Sequence, residues 1–349
     1  MSTRRTRRGG ASGAGAPGTA GRIVRLVAGQ LVKLAVLMFA MSIVVFALVG
    51  LSPIDPVQAN VGQAAYAALS DAKKAELALY WGSDTPIWQR YVNWLVAALH
   101  GDFGTSLRFN APVVEVIATR AGNSVLLMGI AWVMSGVIGF TLGLAAGMRP
   151  GGKLDAAVRA YCFVLASTPT FWLALIMLMV FSVWLGWFPF GFSVPIGVSA
   201  ADVTVFDSLE HVVLPAATLS VVGVANIALH TREKTIDVME SDYVRFARAR
   251  GMASGEVLRV HGLRNIALPA ITLQCASVSE IFGGSVLVEQ VFSYPGLGQA
   301  AVTAATGGDA ALLVGIALAS AAIVFAGNFV GNVVTRALDP RIRQAGEGI

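Results

Sequence analysis

Few side chains in this sequence have the types and spacing that catalysis requires. Residues 147–153 read GMRPGGK and match the spacing of a phosphate-binding loop, but Leu154 stands where Ser or Thr should ligate Mg²⁺. Such a loop also follows a β-strand, whereas an apolar helical run precedes this one. The four histidines are scattered, and neither HExxH, GxSxG nor a carboxylate pair within one apolar run occurs. The sequence therefore predicts a turn here, no catalytic residue and no metal site, and it gives little support to an enzyme.

One ionisable residue, Glu280, lies deep within an apolar run and follows the polar residues Gln274 and Ser277. An intramembrane carboxylate is costly unless it faces protein or water. One interpretation is a translocation path lined by Gln274, Ser277 and Glu280, in which the carboxylate meets a substrate amine. The other is a protonated or paired carboxyl group that fixes helix packing. The sequence leaves both interpretations open.

A polar, arginine-rich island at residues 241–269 separates two apolar runs and reads SDYVRFARARGMASGEVLRVHGLRNIALP. Ser241 and Asp242 suit a helix N-cap and its acidic first turn, and Gly251 suits the end of that helix. Ser254 can cap a second helix that ends where Pro269 opens the next apolar run. We expect two short helices joined at a glycine at the membrane surface. A basic loop that only fixes topology is the alternative.

The composition is that of a helical membrane protein with several spans. Of 349 residues, 56% are hydrophobic and 13% charged, and the mean hydropathy is +0.70. Both cysteines lie inside apolar runs, so neither a disulfide framework nor a metal cluster is indicated. Six apolar runs approach the ~20 residues that a span requires. They are residues 26–51, 123–147, 161–187, 212–230, 266–288 and 311–334.

Small residues and proline predict how these runs pack. GxxxG steps at residues 139, 143 and 147, and again at 327 and 331, favour close helix contacts in lipid. Pro169 interrupts the third run, where Ser167, Thr168 and Thr170 can bond the freed backbone groups. We expect a kink at Pro169, either beside a water-filled path or as a packing bend.

The distribution of Lys and Arg predicts the orientation. The N-terminal arm through Lys33 holds seven, residues 148–160 three, residues 231–265 seven and the tail from Arg336 three, whereas residues 188–211 and 289–310 hold none. Basic residues favour the cytoplasmic side. Both termini are therefore expected in the cytoplasm, and residues 52–120 form a large external segment.

The external segment is expected to contain an amphipathic helix. Thr85 suits the N-cap and Pro86 the first helical position. The helix lies on the outer interface or packs over the outer mouth of the spans. The apolar residues at helical spacing are Ile87, Tyr91, Trp94, Leu95 and Leu99.

Several motifs, in order along the chain, resemble one family. The stretch DYVRFARARG at 242–251, with the later His, Arg-Asn and Leu-Pro elements, resembles the EAA-type coupling loop of ABC-importer permeases. The stretches GDFGTSL (101–107), STPTFW (167–172), HVVLP (211–215), EQVFSYPGLGQ (289–299) and LDPRIR (338–343) agree with it. Together they resemble B-type permease subunits of dipeptide and oligopeptide importers, in the peptide/nickel branch. The likeness covers residues 22–343.

The resemblance implies an all-α, six-helix type I ABC importer permease that moves short peptides across a bacterial cytoplasmic membrane. It implies a homologous C-type permease, two cytoplasmic ABC ATPases, an extracytoplasmic peptide-binding protein and membrane lipid as partners, and no nucleic acid. ATP and Mg²⁺ would bind on the ATPases, and this chain would bind no cofactor. Nickel or another small solute is the alternative cargo, and a non-transporting receptor or scaffold the alternative function.

The resemblance also assigns residues to the two faces of the membrane. Tyr243, Phe246 and Ala247 are expected at the ATPase contact. The loop at 292–299, between the external charges Glu289 and Asp309, is expected to form the outer gate and partner contact, unless it is only a structural hairpin. The coupling residues are Asp242, Tyr243, Arg245, Phe246, Ala247, Ala249, Gly251, His261, Arg264, Asn265 and Pro269. The gate residues are Glu289, Phe292, Tyr294, Pro295, Gly296 and Gly298.

The expected organisation has five parts. A disordered basic arm occupies residues 1–22, and the first membrane helix residues 23–51. The external segment follows at 52–120. A five-helix core covers 121–343 and contains the coupling loop at 231–265, and residues 344–349 form a tail.

Overall fold

The computed structural model describes residues 19–52, 56–80, 85–198 and 202–338. The chain divides into two units, Met1–Ala40 and Met41–Ile349. The predicted disordered arm lies outside the described residues up to residue 18, and a helix already begins at Thr19. The motif positions 339–343 and the tail at 344–349 also lie outside the described residues.

The described part of the chain is mostly helical. A short antiparallel hairpin of β1 (Thr105–Ser106) and β2 (Ala111–Pro112), in which Thr105 pairs with Pro112, lies between α5 and α6. π-Helical turns at Leu178–Trp184 and Leu258–Gly262 follow α8 and α11. The helices are α1 (Thr19–Gly50), α2 (Pro56–Val61), α3 (Gln63–Ala68), α4 (Asp71–Tyr80), α5 (Ile87–Leu99), α6 (Val113–Gly147), α7 (Lys153–Ala166), α8 (Thr170–Met177), α9 (Val205–Met239), α10 (Asp242–Ala249), α11 (Ser254–Val257), α12 (Leu263–Ala276), α13 (Val278–Val291), α14 (Leu297–Thr306) and α15 (Ala310–Leu338).

Four helices within the described residues are long and apolar enough to cross a bilayer. They are α1, with its apolar stretch Ala28–Gly50, α6, α9 and α15. Two bent helix pairs, Lys153–Ala166 with Thr170–Trp184 and Ser254–Ala276 with Val278–Val291, bring the number to six if each pair forms one span. The six predicted apolar runs therefore all fall on helices, and the third and fifth runs are broken.

The break in the third run follows the local chemistry of proline. The two helices differ in direction by 107°. Pro169 has no N–H group and disfavours a helical Thr168, so it stands at the N-cap of α8. Ser167 Oγ donates to the Phe163 carbonyl and Thr168 Oγ1 to the Val164 carbonyl, both at 2.8 Å. The predicted kink at Pro169 is confirmed, and Thr170 begins the next helix.

The break in the fifth run falls at Ser277, where the direction changes by 51°. Ser277 ends α12 and precedes α13, and its Oγ donates to the Gln274 carbonyl at 2.8 Å. A serine that bonds nearby backbone competes with the helical ladder. The fifth run is consequently two helices with a polar joint.

Close helix contacts occur at the GxxxG steps. A Cβ on Gly143 would lie 2.4 Å from the Ala228 carbonyl oxygen, and one on Gly147 2.5 Å from Thr235 Cβ, so only glycine lets α6 approach α9 this closely. In α15, a Cβ on Gly331 would lie 2.9 Å from the Cys275 carbonyl oxygen. The predicted close packing is therefore confirmed in both helices.

The segment before α6 contains more structure than the sequence indicates. The amphipathic helix is present as α5, but it begins at Ile87 with Pro86 as its N-cap, one residue later than predicted. Tyr91 stacks on Trp94, with ring centroids 6.2 Å apart, and both rings contact Phe46 near the end of α1. Trp88 stays 69% exposed. The sequence did not predict α2, α3 or α4.

Candidate functional sites

The polar island begins with a short helix, as predicted. Ser241 precedes α10 in an extended conformation, although its Oγ donates to the Val238 carbonyl at 2.5 Å instead of capping the helix. Asp242 in the first turn forms an exposed ion pair with Arg245 at 3.5 Å. The helix ends at Ala249, and Gly251, two residues later, has a φ of +89°, a conformation that favours glycine. The chain can therefore reverse direction directly after α10.

The prediction for the second helix of the island is wrong in two respects. Ala253, not Ser254, occupies the N-cap position of α11. The helix does not end before Pro269, because α11 continues through the π-helical turn into α12, which contains Pro269. The second half of the island is therefore the beginning of the fifth run, and a force on the island reaches the span along one helix.

A small core holds the island together. Val244 and Val257 are fully buried, and Ala247 is 6% exposed. They pack with Met239 from the end of α9 and with Met148 from the turn after α6. A loop that only fixed topology would need no such core, so the packing favours a rigid projection.

A cleft of about 560 Å³ opens on the surface of this projection. Phe246 is 65% exposed and Tyr243 46%, whereas Ala247 lies at the base of the cleft. The Arg250 guanidinium carbon lies 5.8 Å from the centre of the Phe246 ring. The predicted contact residues Tyr243 and Phe246 are accessible, but Ala247 offers little surface. The lining consists of Tyr243, Phe246, Ala247, Arg250, Met252 and His261.

Of the other predicted coupling residues, His261 borders the cleft and Asn265 bonds to one of its lining residues. Asn265 Nδ2 donates to the His261 carbonyl at 3.0 Å and to Tyr243 Oη at 3.3 Å, which joins α12 to α10. Pro269 lies farther along α12 and is only partly exposed. The exposed residues of the set are Asp242, Tyr243, Arg245, Phe246, Ala249, Gly251, His261, Arg264 and Asn265.

A buried ion pair, which the sequence analysis missed, ties the turn at 147–153 to α9. The Asp155 carboxylate is fully buried and accepts hydrogen bonds from Arg232 Nε and, at 2.8 Å, from Arg232 Nη2. The Gly151 N–H donates to the same carboxylate at 2.9 Å, and Arg159 Nε lies 3.6 Å away. The turn that resembles a phosphate loop thus serves to hold α7 against α9, near the core of the island.

Glu289 is a buried helix cap in this structure. Its side chain is fully buried, with Oε1 accepting from Ser124 Oγ at 2.6 Å and Oε2 from the N–H groups of Gly298 at 2.7 Å and Gln299 at 3.1 Å. These two N–H groups belong to the first turn of α14, which has no partner for them within the helix. Glu289 therefore fixes the start of α14 to α13.

The rest of the 292–299 loop packs around this carboxylate. Phe292 and Tyr294 are each 1% exposed, and burial beside Glu289 raises the pKa of Tyr294 to about 12. Asn123 Nδ2 donates to the Pro295 carbonyl at 2.9 Å, and Arg120 to Gln299 Oε1 at 2.8 Å. One feature of the sequence could have indicated these contacts, namely the polar pair Asn123 and Ser124 at the start of the second run.

Asp309 repeats the same arrangement before α15. Its fully buried carboxylate accepts from Ser106 Oγ at 2.7 Å, from the Arg108 N–H at 3.2 Å and from the Leu312 N–H in the first turn of α15 at 3.1 Å. Glu289 and Asp309 are therefore not exposed charges on either side of the loop. Both are buried helix caps, and the buried side chains of Glu289, Phe292 and Tyr294 offer no surface to a partner in this arrangement.

The three residues predicted along a translocation path do not share one cavity. Gln274 is buried, with Nε2 donating to the Trp132 carbonyl at 2.5 Å and to Ser135 Oγ at 3.1 Å, and it borders an apolar pocket of about 330 Å³. Ser277 and Glu280 border a different cleft of about 250 Å³, into which Glu280 is exposed. The helix break at Ser277 lies between the residue that borders the pocket and the residue Glu280 that borders the cleft.

Broken spans, a rigid polar projection and buried caps at the opposite helix ends define a helical membrane permease. The sequence model described as binding-protein-dependent transport system inner membrane component matches residues 139–344, and the chain belongs to this family. The predicted all-α, polytopic type I ABC importer permease fold is thereby confirmed, with four to six spans.

Two relatives extend the similarity over most of the chain. Oligopeptide transport system permease protein AppB of Bacillus subtilis (strain 168) is 34% identical over 309 residues, which cover 88% of this chain and 95% of the relative. Di/tripeptide transport system permease protein DppB of Pseudomonas aeruginosa (strain UCBPP-PA14) is 31% identical over 320 residues, which cover 87% and 94%.

Proposed function

We propose that this chain is the membrane-spanning permease subunit of an ATP-binding-cassette importer that moves short peptides across the cytoplasmic membrane of a bacterium. The peptide cargo is supported by the names of the two relatives, both of which are peptide transport permeases. The importing role is supported by the family, which comprises inner membrane components of binding-protein-dependent transport systems.

The observation that carries the proposal is the cleft on the polar island. Phe246 and Tyr243 expose aromatic surface on a segment rich in arginine, and large exposed aromatic groups with Arg at the rim are typical of protein contacts. Two cytoplasmic ABC ATPases, one on this chain and one on a homologous C-type permease, would dock at such clefts. ATP and Mg²⁺ bind on the ATPases, and this chain contributes no catalytic group.

The island is built to transmit movement. Its second helix continues through α12 into the fifth run, and its core includes Met239 of α9. Closure of the ATPases on ATP would move the island. This movement would tilt the fifth run and α9, so that a cargo site near the midplane opens alternately to the inside and to the outside. An extracytoplasmic peptide-binding protein would deliver the cargo at the opposite face, and membrane lipid would cover the apolar perimeter.

The orientation follows from charge. The island and the turn at 148–160 are rich in Lys and Arg, whereas residues 289–310 hold none. With basic segments on the cytoplasmic side, the ATPases reach the island and both termini lie in the cytoplasm.

Transport by the complex that co-purifies with this chain tests the proposal. The complex is reconstituted in vesicles with its binding protein, and uptake of labelled di-, tri- and pentapeptides is measured with and without ATP. We expect ATP-dependent uptake that is lost when this chain is omitted. ATP hydrolysis stimulated only by a binding protein loaded with nickel or another solute would change the cargo, and absence of any coupled ATPase would favour a receptor or scaffold.

The cleft itself is tested by Phe246→Ala. Its matched control is Phe163→Ala, which removes a phenylalanine that is 59% exposed on α7, away from the island. We expect Phe246→Ala to reduce co-purification of the ATPases and uptake together, whereas Phe163→Ala retains both. Equal behaviour of the two variants would contradict docking at the cleft.

A further inference from the structure

A cleft of about 250 Å³ lies where the two broken spans meet. Thr170, the first residue of α8, and Ser277, the joint between α12 and α13, both border it. Leu219 and the glycines of α13 form much of the remaining wall. Broken helices of this kind are where transporters place irregular backbone and bind their cargo.

Glu280 is the only charged side chain among the described residues that border this cleft. It is exposed, and it makes no hydrogen bond or ion pair with any described residue. It belongs to the first turn of α13, at the positive end of that helix. The carboxylate therefore points into the cleft without a partner from the described part of the chain.

The other glutamate of α13 shows what a structural carboxylate looks like in this helix. Glu289 is fully buried and accepts hydrogen bonds from Ser124, Gly298 and Gln299. The immediate neighbour of Glu280 is also bonded, since Asn328 Nδ2 donates to Ser279 Oγ at 2.9 Å. The interpretation of Glu280 as a paired carboxyl group that fixes helix packing is therefore not supported.

An unpaired carboxylate within a span costs free energy, because the charge loses its hydration. Such residues therefore pair with another group or mark a substrate pathway. The cleft lies below the range of ~300–1,000 Å³ of pockets that enclose a whole drug-sized ligand. It suits a single residue of a peptide. Space is available beside the carboxylate, because a Cβ on Gly283 would meet no atom within 4 Å.

We infer that Glu280 is a specificity-determining residue that binds a protonated amine of the cargo as it passes the broken spans. The amine is the N-terminal ammonium group of a peptide or the side chain of a lysine near it. The inference rests on the proposed function, since it names the chemical group of the peptide that this permease selects. The apolar wall around Leu219 contacts the carbon atoms beside the amine.

Competition between matched peptides tests the inference. The complex that co-purifies with this chain is reconstituted with Glu280 or with Glu280→Gln, and uptake is measured for a free tripeptide, its N-acetylated form and N-acetylated forms with one lysine. The binding protein is the same in both preparations, so a change in preference between them originates in the permease. Glu115→Gln is the control, because Glu115 is an exposed glutamate in the first turn of another span, α6.

We expect the wild-type complex to prefer the free over the acetylated peptide. Glu280→Gln should reduce that preference roughly tenfold by raising KM for the free peptide, because the ammonium group loses its charged hydrogen-bond partner. Glu280→Asp retains the preference, as does Glu115→Gln. Rescue of uptake by lysine in the acetylated peptide would place the side-chain amine at Glu280, and absence of rescue the N-terminal ammonium.

Two results would overturn the inference while leaving the proposed function intact. One is an unchanged preference in Glu280→Gln. The other is a Glu280→Gln complex that lacks its partner subunits, which would assign the carboxylate to assembly. Absence of ATP-dependent peptide uptake by the wild-type complex would instead overturn the proposed function, and this inference with it.

Discussion

Ser124 on α6 and Glu289 on α13 are joined by a hydrogen bond of 2.6 Å between Oγ and Oε1. The same Oγ accepts the N–H of Leu297 at 2.8 Å, so one hydroxyl group connects α6, α13 and the start of α14. All three residues are buried, with Ser124 and Leu297 at 1% and 0% exposure. A buried network in which every group is bonded fixes one arrangement of its helices.

Ser124→Ala is expected to destabilise the permease by roughly 1–3 kcal/mol, because the Leu297 N–H and one carboxylate oxygen then lose a buried partner. Thermal unfolding of the detergent-solubilised complex measures this change. Thr306→Ala is the control, since Thr306 is exposed and its hydroxyl donates only to the Val302 and Thr303 carbonyls of its own helix. A shift for Ser124→Ala no larger than that for Thr306→Ala would contradict the role of the network.

Gly296→Ala tests the same site by placing a methyl group against the Glu289 carboxyl group. A Cβ at Gly296 would lie 2.3 Å from Glu289 Cδ, so the carboxyl group or the loop must move and its bonds to α14 are lost. We expect a strong reduction in folded complex recovered from membranes. Gly122→Ala in α6 is the control, because a Cβ there would meet no atom within 4 Å. Normal recovery of Gly296→Ala would show that the loop can accommodate the displacement.

The class of protein, a helical membrane protein, and the positions of its helices could be predicted from the sequence because they depend on local properties. Apolar runs of sufficient length become spanning helices, and glycines spaced four residues apart allow close packing, as at Gly143 against Ala228. Proline was an incomplete guide to the breaks. Pro169 ends a helix, but Pro215 and Pro269 lie inside helices, and the second break falls at Ser277.

The roles of Glu289 and Asp309 could not be predicted because their partners are distant in the sequence. Ser124 is 165 residues from Glu289, and Ser106 is 203 residues from Asp309. Only the folded chain brings each serine to its carboxylate, so the sequence offers two acidic residues beside a loop and nothing that distinguishes a surface charge from a buried cap. The pairing of Asp155 with Arg232 could not be predicted for the same reason, since these residues are 77 positions apart.

Asp155→Asn is expected to destabilise the permease by roughly 2–3 kcal/mol, since it leaves Arg232 without the carboxylate that accepts both of its bonds. Asp237→Asn is a closely matched control. Asp237 also pairs with a basic residue, Lys234 at 3.9 Å, but its side chain is 69% exposed, and such pairs contribute roughly 0–1 kcal/mol. Equal unfolding temperatures for the two variants would contradict a structural role for the buried pair.

Gly251→Pro is expected to uncouple ATP hydrolysis from uptake, or to block assembly with the ATPases, while membrane insertion stays normal. Gly251 has a φ of +89°, whereas proline is restricted to about −65°, so the turn between α10 and α11 must change. The island would then present Tyr243 and Phe246 in a different direction, although the apolar runs that direct insertion are unaltered.

Ala253→Pro separates this conformational effect from the mere introduction of a proline. Ala253 lies two residues farther along the same turn, and its φ of −70° with a ψ of 149° already suits proline. We therefore expect Ala253→Pro to retain coupling, measured as the ratio of peptide imported to ATP hydrolysed by the same vesicles. If Gly251→Pro keeps the wild-type ratio, the direction of the island does not control transport. If both variants lose it, the turn is sensitive to any proline, and the φ of Gly251 is not the cause.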